Sequence, residues 1–434
     1  MAKVPDLLAA FTTLHPRAWD LGLDRLARLL ADLGHPETRL PPVIHVAGTN
    51  GKGSTVATLR AILEADGKAC HAYTSPHLVR FNERIRIGRP GGGTIVTDAD
   101  LEAALIRCKD VNAGQPITFF EATTAVAFDL FAAHPADWTL VEVGLGGRLD
   151  ATNVVHPQVT VVTPVSIDHV GFLGPTLASI AREKAGIFKK GVPAVVGPQP
   201  EEARRVLVEA ARTAGAPLFI EGEHYQAYEE HGRLVYADER GLLDLPLPNL
   251  PGRHQIANAG LALAALRAIG AEPGTEALSR GLQSVMWPGR FQRLSGPLAA
   301  RAGETAEVWL DGGHNAAGGA AIAALLADLD ERVSKPVTLV CGMIGTKDSV
   351  GFLANFAGLA RHLVAVSVPG HDKSREPAEI AAEARALGMT GEVAGDLDSA
   401  LARAGTLNPG GRIVICGSLY LAGAVLERDE AVPE

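Results

Sequence analysis

Residues 43–55 read VIHVAGTNGKGST, a β-branched apolar run that meets a glycine-rich turn and then Lys52, Ser54 and Thr55. Glycines let backbone N–H groups face an anion at the start of a helix, and a helical pattern runs from Val56 to Ala65. Gly48, Thr49, Asn50, Gly51, Lys52, Gly53 and Ser54 are therefore candidates to cradle phosphates. Lys52 would reach the terminal phosphates, and Ser54 or Thr55 would offer a hydroxyl to Mg²⁺. The usual spacing asks for a glycine five residues before the Gly-Lys pair, where Val46 stands, so Gly48 and Gly51 must carry the turn. A glycine-rich turn that merely closes a strand–helix unit is the plain alternative. The strand, the lysine and the hydroxyls together favour a nucleoside triphosphate.

A second constellation lies where further strands should end, the edge at which open α/β sheets place their sites. TLVEV (139–143) runs into a glycine-rich loop holding Arg148, Asp150 and Asn153, and VTVVTPV (159–165) runs into Ser166, Asp168 and His169. Glu142 stands inside an apolar strand, where a carboxylate must be paired or hold a cation. Taken singly, Glu142 could pair with Arg148, and His169 could be a satisfied core histidine. Beside a P-loop, the two read as Mg²⁺ ligands on neighbouring strands.

The elements that must position these residues alternate. Leucines at 21, 26, 29, 30 and 33 fall near helical spacing, ended by Gly34 and Pro36. Strands are expected at 68–74, 85–88, 139–143, 159–165 and 192–197, with Gly91 to Gly93 as a loop. Residues 221–250, charged and alternating, predict a β-rich excursion before a helix over 258–269. The segment 287–293, followed by Gly296 and Pro297, marks the expected boundary between domains 1–293 and 294–434. Beyond it, strands are expected at 307–310, 337–341, 363–368 and 412–416. The fold class is α/β: a P-loop domain on a parallel sheet covered on both faces, plus a smaller doubly wound α/β C-terminal domain.

Composition narrows the function. At 434 residues, two domains are the default. A net charge of −9 gives no basic field for nucleic acid or an anionic membrane. The four cysteines (Cys70, Cys108, Cys341, Cys416) stand far apart, which indicates neither a disulfide framework nor a thiolate metal site. The N-terminus lacks a long apolar core with a cleavage site, and no segment approaches a transmembrane run, so a reducing cytoplasm is the expected home.

Several motifs together carry a resemblance. HVAGTNGKGST, YTSPHLVRFNERIRI (73–87), TFFEATT (118–124), VEVGLGGRLDATN (141–153), SIDHVGFLG (166–174), EKAGIFK (183–189), GRHQIANA (252–259), PGRFQ (288–292) and DGGHN (311–315) resemble the folylpolyglutamate synthase/dihydrofolate synthase family of Mur-ligase-like ATP-dependent amide ligases. The resemblance spans nearly the whole chain. It implies an ATP- and folate-binding domain over 1–293 and a glutamate-ligase domain over 294–434. It also implies joining of L-glutamate to a pterin-linked carboxylate through an acyl phosphate, chemistry that needs charge neutralisation and positioning more than a protein nucleophile.

By the same resemblance, Ser75 and Glu142 hold a first Mg²⁺, and Glu142 and His169 help bind a second. Lys184 matches a carbamylated lysine, with a helix-surface lysine paired to Glu183 as the plain alternative. Asn258 lies on the adenine side, Arg290 reaches the phosphates, Asp311 bonds the ribose, and His314 sits by the transferred phosphate or the incoming glutamate. Lys347 adds a further cation or is a loop lysine. Phe120, Glu121, Thr123, Arg148 and Asp150 line the pterin and aminobenzoate side, with Asp150 also catalytic. Arg80, in the loop from Ser75 to Arg84, partners a carboxylate, and Ser418 binds glutamate. The family expectation is a monomer. A cell-wall Mur ligase needs an N-terminal domain for its sugar-peptide, and about forty residues before the P-loop are too few. A bare P-loop switch would not need the acceptor-side residues. The motifs are compatible with a dihydrofolate synthase, a folylpolyglutamate synthase or both; a bifunctional enzyme is the expectation.

Overall fold

In the computed structural model, which describes residues 3–15 and 20–433, eight strands form the main sheet. They are β1 (Val43–Ala47), β2 (Cys70–Tyr73), β3 (Ile85–Ile87), β4 (Thr94–Ile95), β5 (Trp138–Glu142), β6 (Val159–Val162), β7 (Ala194–Val196) and β8 (Leu218–Ile220). Their order is β4-β3-β2-β5-β1-β6-β7-β8, parallel except that β3 runs against both its neighbours, β2 and β4, at one edge. Alternate residues of the central strands feed two cores. Ile44, Val46, Val159 and Val161 enter one with Leu59, Ile62 and Leu261. Ala47, Val162 and Val196 enter the other with Ile180, Leu207 and Ala211. Strands buried on both faces read as continuous apolar runs, which is why they are visible in the sequence.

β6 ends at Val162, three residues before the expected Val165. Pro164 has no N–H to donate to a ladder, so the chain leaves the sheet there. The excursion over 221–250 is a separate antiparallel sheet of β9 (Tyr225–Glu230), β10 (Arg233–Asp238) and β11 (Gly241–Pro246). His231 and Gly232, both at positive φ, make its first two-residue hairpin turn. The helix that follows spans Arg253–Ala268, starting five residues earlier than expected.

The chain divides into two compact units. The first holds 1–77, 82–249 and 255–286; the second holds 78–81, 250–254 and 287–434. The second unit has its own sheet of β12 (Gln292–Leu294), β13 (Glu307–Leu310), β14 (Val337–Cys341), β15 (Ala360–Ala365), β16 (Thr390–Val393) and β17 (Arg412–Cys416). Its order is β12-β13-β17-β14-β15-β16, with β12 antiparallel and the rest parallel. β15 lies three residues earlier than the apolar run 363–368 suggests, because its partner β14 stops at Cys341, opposite Ala365. No helix among the described residues is long and apolar enough to cross a membrane. Of the N-terminal stretch read for a leader, Met1, Ala2 and Pro16 lie outside the described residues.

Candidate functional site

The order β5-β1-β6 sets three loops side by side at the carboxyl edge of the main sheet. Val46 lies opposite Glu142, and Ala47 opposite Val162. The P-loop follows β1, and two of its glycines are sterically required. A Cβ on Gly48 (φ 146°) would lie 1.8 Å from Thr163 Oγ1, and one on Gly51 (φ 91°) would lie 2.4 Å from Asn258 Oδ1. Gly51 turns the chain directly into the helix Lys52–Ala65, which therefore begins four residues before the expected Val56. The loop is braced from the neighbouring strand. The Thr49 N–H donates to Pro164 O at 3.1 Å, the Ser166 N–H donates to Thr49 Oγ1 at 3.1 Å, and Asn50 Nδ2 donates to Ser166 Oγ at 3.3 Å. The helix presents unpaired N–H groups and a partial positive charge at its start, the physical basis of anion binding.

Two lysines converge on one carbonyl. Lys52 Nζ donates to Gly48 O and Thr49 O, both at 3.2 Å. Lys184, in the last turn of the helix Leu177–Ala185, donates to Gly48 O at 2.7 Å. It is only 4% exposed, and burial, then the Lys52 charge, push its pKa down to about 7 against the pull of Asp168 and Asp150. A large neutral fraction near neutral pH is what reaction of an amine with CO₂ requires. The surface-lysine reading of Lys184 fails on this burial, and Glu183 is taken by Arg148, whose Nε and Nη2 donate to it at 3.0 and 2.9 Å. The same contact turns Arg148 away from the pairing with Glu142 that the sequence allowed.

Glu142, 4% exposed at the end of β5, accepts the Ser75 N–H at 3.3 Å, so the two expected ligands of a first cation adjoin. His169 is not a core histidine: its side chain is 44% exposed, it adopts a left-handed conformation (φ 51°), and its Nε2 lies 3.9 Å from Asp168 Oδ1. Among the described residues no three His, Cys, Asp or Glu side chains form a metal cage. A carboxylate, a hydroxyl residue and phosphate-binding groups at one edge nevertheless fit a hard cation such as Mg²⁺, which keeps waters and substrate oxygens as ligands.

On the acceptor side, the Phe120 ring stacks near Tyr73 at 6.1 Å, and a Cβ on Gly144 would collide with it at 2.4 Å. Asp150 is buried and accepts the Leu145 N–H at 2.8 Å, the Thr152 N–H at 3.0 Å and the Thr152 hydroxyl; burial raises its pKa. Two residues expected on the acceptor side are engaged within the fold. Glu121 closes a capping box with Thr118 at the start of the helix Phe119–Ala133 and takes Arg25 Nε and Nη2 at 3.1 and 2.8 Å. Thr123, fully buried, donates its hydroxyl to Phe119 O and Phe120 O. Both hold the helix through these contacts.

The second unit gathers its own cluster. Asp311, after β13, accepts the Phe291 N–H at 2.9 Å and the Gly313 N–H at 2.7 Å. Arg290 Nη1 donates to Gly289 O at 3.0 Å, and a Cβ on Gly312 would come within 3.1 Å of it. His314 Nδ1 lies 2.9 Å from Gly312 O, which assigns the ring proton to Nδ1. Asn315 caps the helix Ala316–Arg332, accepting from the Gly318 N–H. Ser418 is buried and caps the helix Leu419–Arg428 through the Tyr420 N–H at 3.1 Å. Lys347 is half-buried, and exposed Arg80 belongs to the 78–81 segment of this unit, whereas Ser75 belongs to the first. Lining this cluster, His254 interacts electrostatically with Asp311 and Arg290.

Residues 46–266 match the Mur ligase middle domain, and residues 289–419 match the Mur ligase glutamate ligase domain. The dihydrofolate synthase/folylpolyglutamate synthase of Escherichia coli is 38% identical over 348 residues, covering 80% of this chain and 78% of that protein. The chain belongs to the folylpolyglutamate synthase/dihydrofolate synthase family. The folylpolyglutamate synthase of Lacticaseibacillus casei, another member, is 33% identical over 414 residues, 92% of each chain. E. coli FolC in complex with DHPP and ADP superposes with a TM-score of 0.89 at 33% identity, covering 99% of this chain and 98% of that one. A bifunctional family member with Mn, AMPPNP and L-glutamate bound gives a TM-score of 0.85 at 31% identity over 98% of each chain.

Within this family member, sequence reasoning missed His45, Tyr73, Thr152 and His254. His45 carried the strongest available signal, a polar ring inside the apolar strand β1. Its Nε2 lies 2.9 Å from Thr152 Oγ1, and burial, then Lys189, lowers its pKa to about 3, so it is neutral.

Proposed function

We infer that the chain joins L-glutamate to the carboxylate of dihydropteroate and of reduced folates with ATP, as a bifunctional dihydrofolate synthase/folylpolyglutamate synthase. The observation that carries this reading is the carboxyl edge of β5-β1-β6, where a P-loop, a buried carboxylate and a buried lysine of depressed pKa meet. The names and bound ligands of the full-length relatives support it.

In this reading the acceptor carboxylate attacks the γ-phosphorus, ADP leaves, and an acyl phosphate forms. The glutamate amine then adds to the acyl carbon, and the tetrahedral intermediate collapses with loss of phosphate and of the amine proton. Lys52 releases its loop carbonyls to hold the β- and γ-phosphates, and the loop Gly48 to Ser54 cradles them while the N–H groups of Thr49 and Asn50 stay on Pro164 O. Ser75, Glu142 and His169 would hold Mg²⁺, taken as two ions, which would supply neutralisation of the phosphate charge. Lys184, as its carbamate, would add a negative oxygen to that set, replacing a repulsive cation with a stabiliser of the metal site. Asn258 serves the adenine side, while Arg290, Asp311 and His314 serve phosphate, ribose and the amine. Phe120, Asp150, Arg148 and Arg80 serve the acceptor, and Ser418 serves glutamate.

The domain assignment follows: 1–293 for ATP and folate, 294–434 for glutamate ligation. We take the chain to be a monomer without nucleic-acid partners, in a reducing cytoplasm that suits four free, buried cysteines. A monofunctional folylpolyglutamate synthase is the second reading, favoured by the L. casei relative of that name. Product mass after incubation with MgATP, L-glutamate and either dihydropteroate or tetrahydrofolate decides between them. One added glutamyl group on both acceptors is expected; addition to tetrahydrofolate alone selects the second reading, and addition to neither overturns both.

A further inference from the structure

His45 is fully buried in the middle of β1, three residues before Gly48, yet no reaction step uses it. Its Nε2 meets the Thr152 hydroxyl at 2.9 Å, and that hydroxyl donates its single proton to Asp150 Oδ1. The hydroxyl must therefore accept from His45, which fixes the ring as the Nε2–H tautomer and leaves Nδ1 buried without a hydrogen-bond partner. An orphaned buried nitrogen is costly, so the fold maintains this ring against a penalty that an apolar residue would not incur. The Thr152 N–H on Oδ1, the Leu145 N–H on Oδ2 and the Gly144 N–H complete the clamp on the carboxylate. The direction of the Asp150 carboxylate is therefore set by contacts from its own loop. The ring belongs to the strand that carries the P-loop, and the carboxylate belongs to the loop that follows β5.

We propose that His45 is a positioning residue for the acceptor: through the Thr152 hydroxyl it holds the Asp150 carboxylate in the direction in which it meets a donor on the pterin-linked substrate. This rests on the reading of Asp150 as an acceptor contact. A ring-sized apolar residue keeps the volume of His45 but loses the donor, whereas glutamine places an N–H near the position of Nε2.

The test measures KM for dihydropteroate, ATP and glutamate, together with equilibrium binding of dihydropteroate in the presence of ADP, for His45→Phe, His45→Gln, Thr152→Val and Asp150→Asn in the full chain. A hydrogen bond to a charged group corresponds to about tenfold or more in affinity. His45→Phe and Thr152→Val should weaken dihydropteroate about tenfold while the ATP KM stays within about twofold, and His45→Gln should restore most of the loss. If His45→Phe does not fold, Thr152→Val carries the same expectation. Equal losses for ATP and acceptor would reduce His45 to a structural role and overturn the proposal. So would acceptor binding unchanged in both variants while Asp150→Asn weakens it. Unchanged acceptor binding in Asp150→Asn would instead remove Asp150 from the acceptor site, and the proposal with it.

Discussion

Burying Lys184 next to Lys52 strips an ammonium of water and places it beside a like charge, and its pKa falls from 10.5 to about 7. Between those values the unfolded chain holds a proton that the folded chain lacks. In metal-free, CO₂-free buffer, stability should therefore rise with pH from about 7 toward 10.5, and Lys184→Met should flatten that slope in denaturant titrations. An unchanged slope would mean that Lys184 is charged when folded. The proposed carbamate makes a separate prediction. Lys184→Ala should lose about a hundredfold or more in kcat, and acetate or formate should partly restore it. Full activity without the additive would return Lys184 to a packing role. The charge and spacing of Lys184 were legible in the sequence, but its burial was not, because the contact that buries it comes from Gly48, 136 positions away.

The helices and strands near the site owe their places to small residues and caps. Gly51→Ala would put a Cβ into Asn258 at a backbone conformation that L side chains avoid. Nucleotide binding should fall by at least about tenfold, read by calorimetry with the nucleotide, while the fold persists. The capping box of Glu121 predicts the opposite pattern. Glu121→Ala should lower stability by about 2 kcal/mol, since it removes the acceptor of the Thr118 N–H from the capping box and leaves Arg25 to Asp20, and should leave the dihydropteroate KM unaltered. A raised KM with intact stability would restore the acceptor role that TFFEATT suggested. The P-loop was legible because strand, turn and helix are contiguous there. The ion pair of Glu121 was not legible because its partner Arg25 lies 96 positions away. β16 (TGEV) was missed for a different reason. It is polar and holds a glycine, so neither alternation nor branched residues betray it.

At the scale of the whole molecule, the chain carries two sets of cores, one built on β1, β6 and β7 and the other on β13, β14 and β17. Calorimetric unfolding of the full chain should exceed its van't Hoff enthalpy, because two cores need not melt as one. Equality of the two enthalpies would mean a single cooperative unit. Alternation of strands and helices made both sheets readable, whereas the assignment of 78–81 and 250–254 to the second unit had no signal in the sequence. The central claim is that the chain activates an acceptor carboxylate by phosphoryl transfer. Its most direct test is to incubate the protein with MgATP, L-glutamate and dihydropteroate labelled with ¹⁸O in the carboxylate, then weigh the phosphate released. The account predicts one ¹⁸O in the phosphate for each glutamyl bond formed. Unlabelled phosphate alongside amide product would contradict an acyl phosphate.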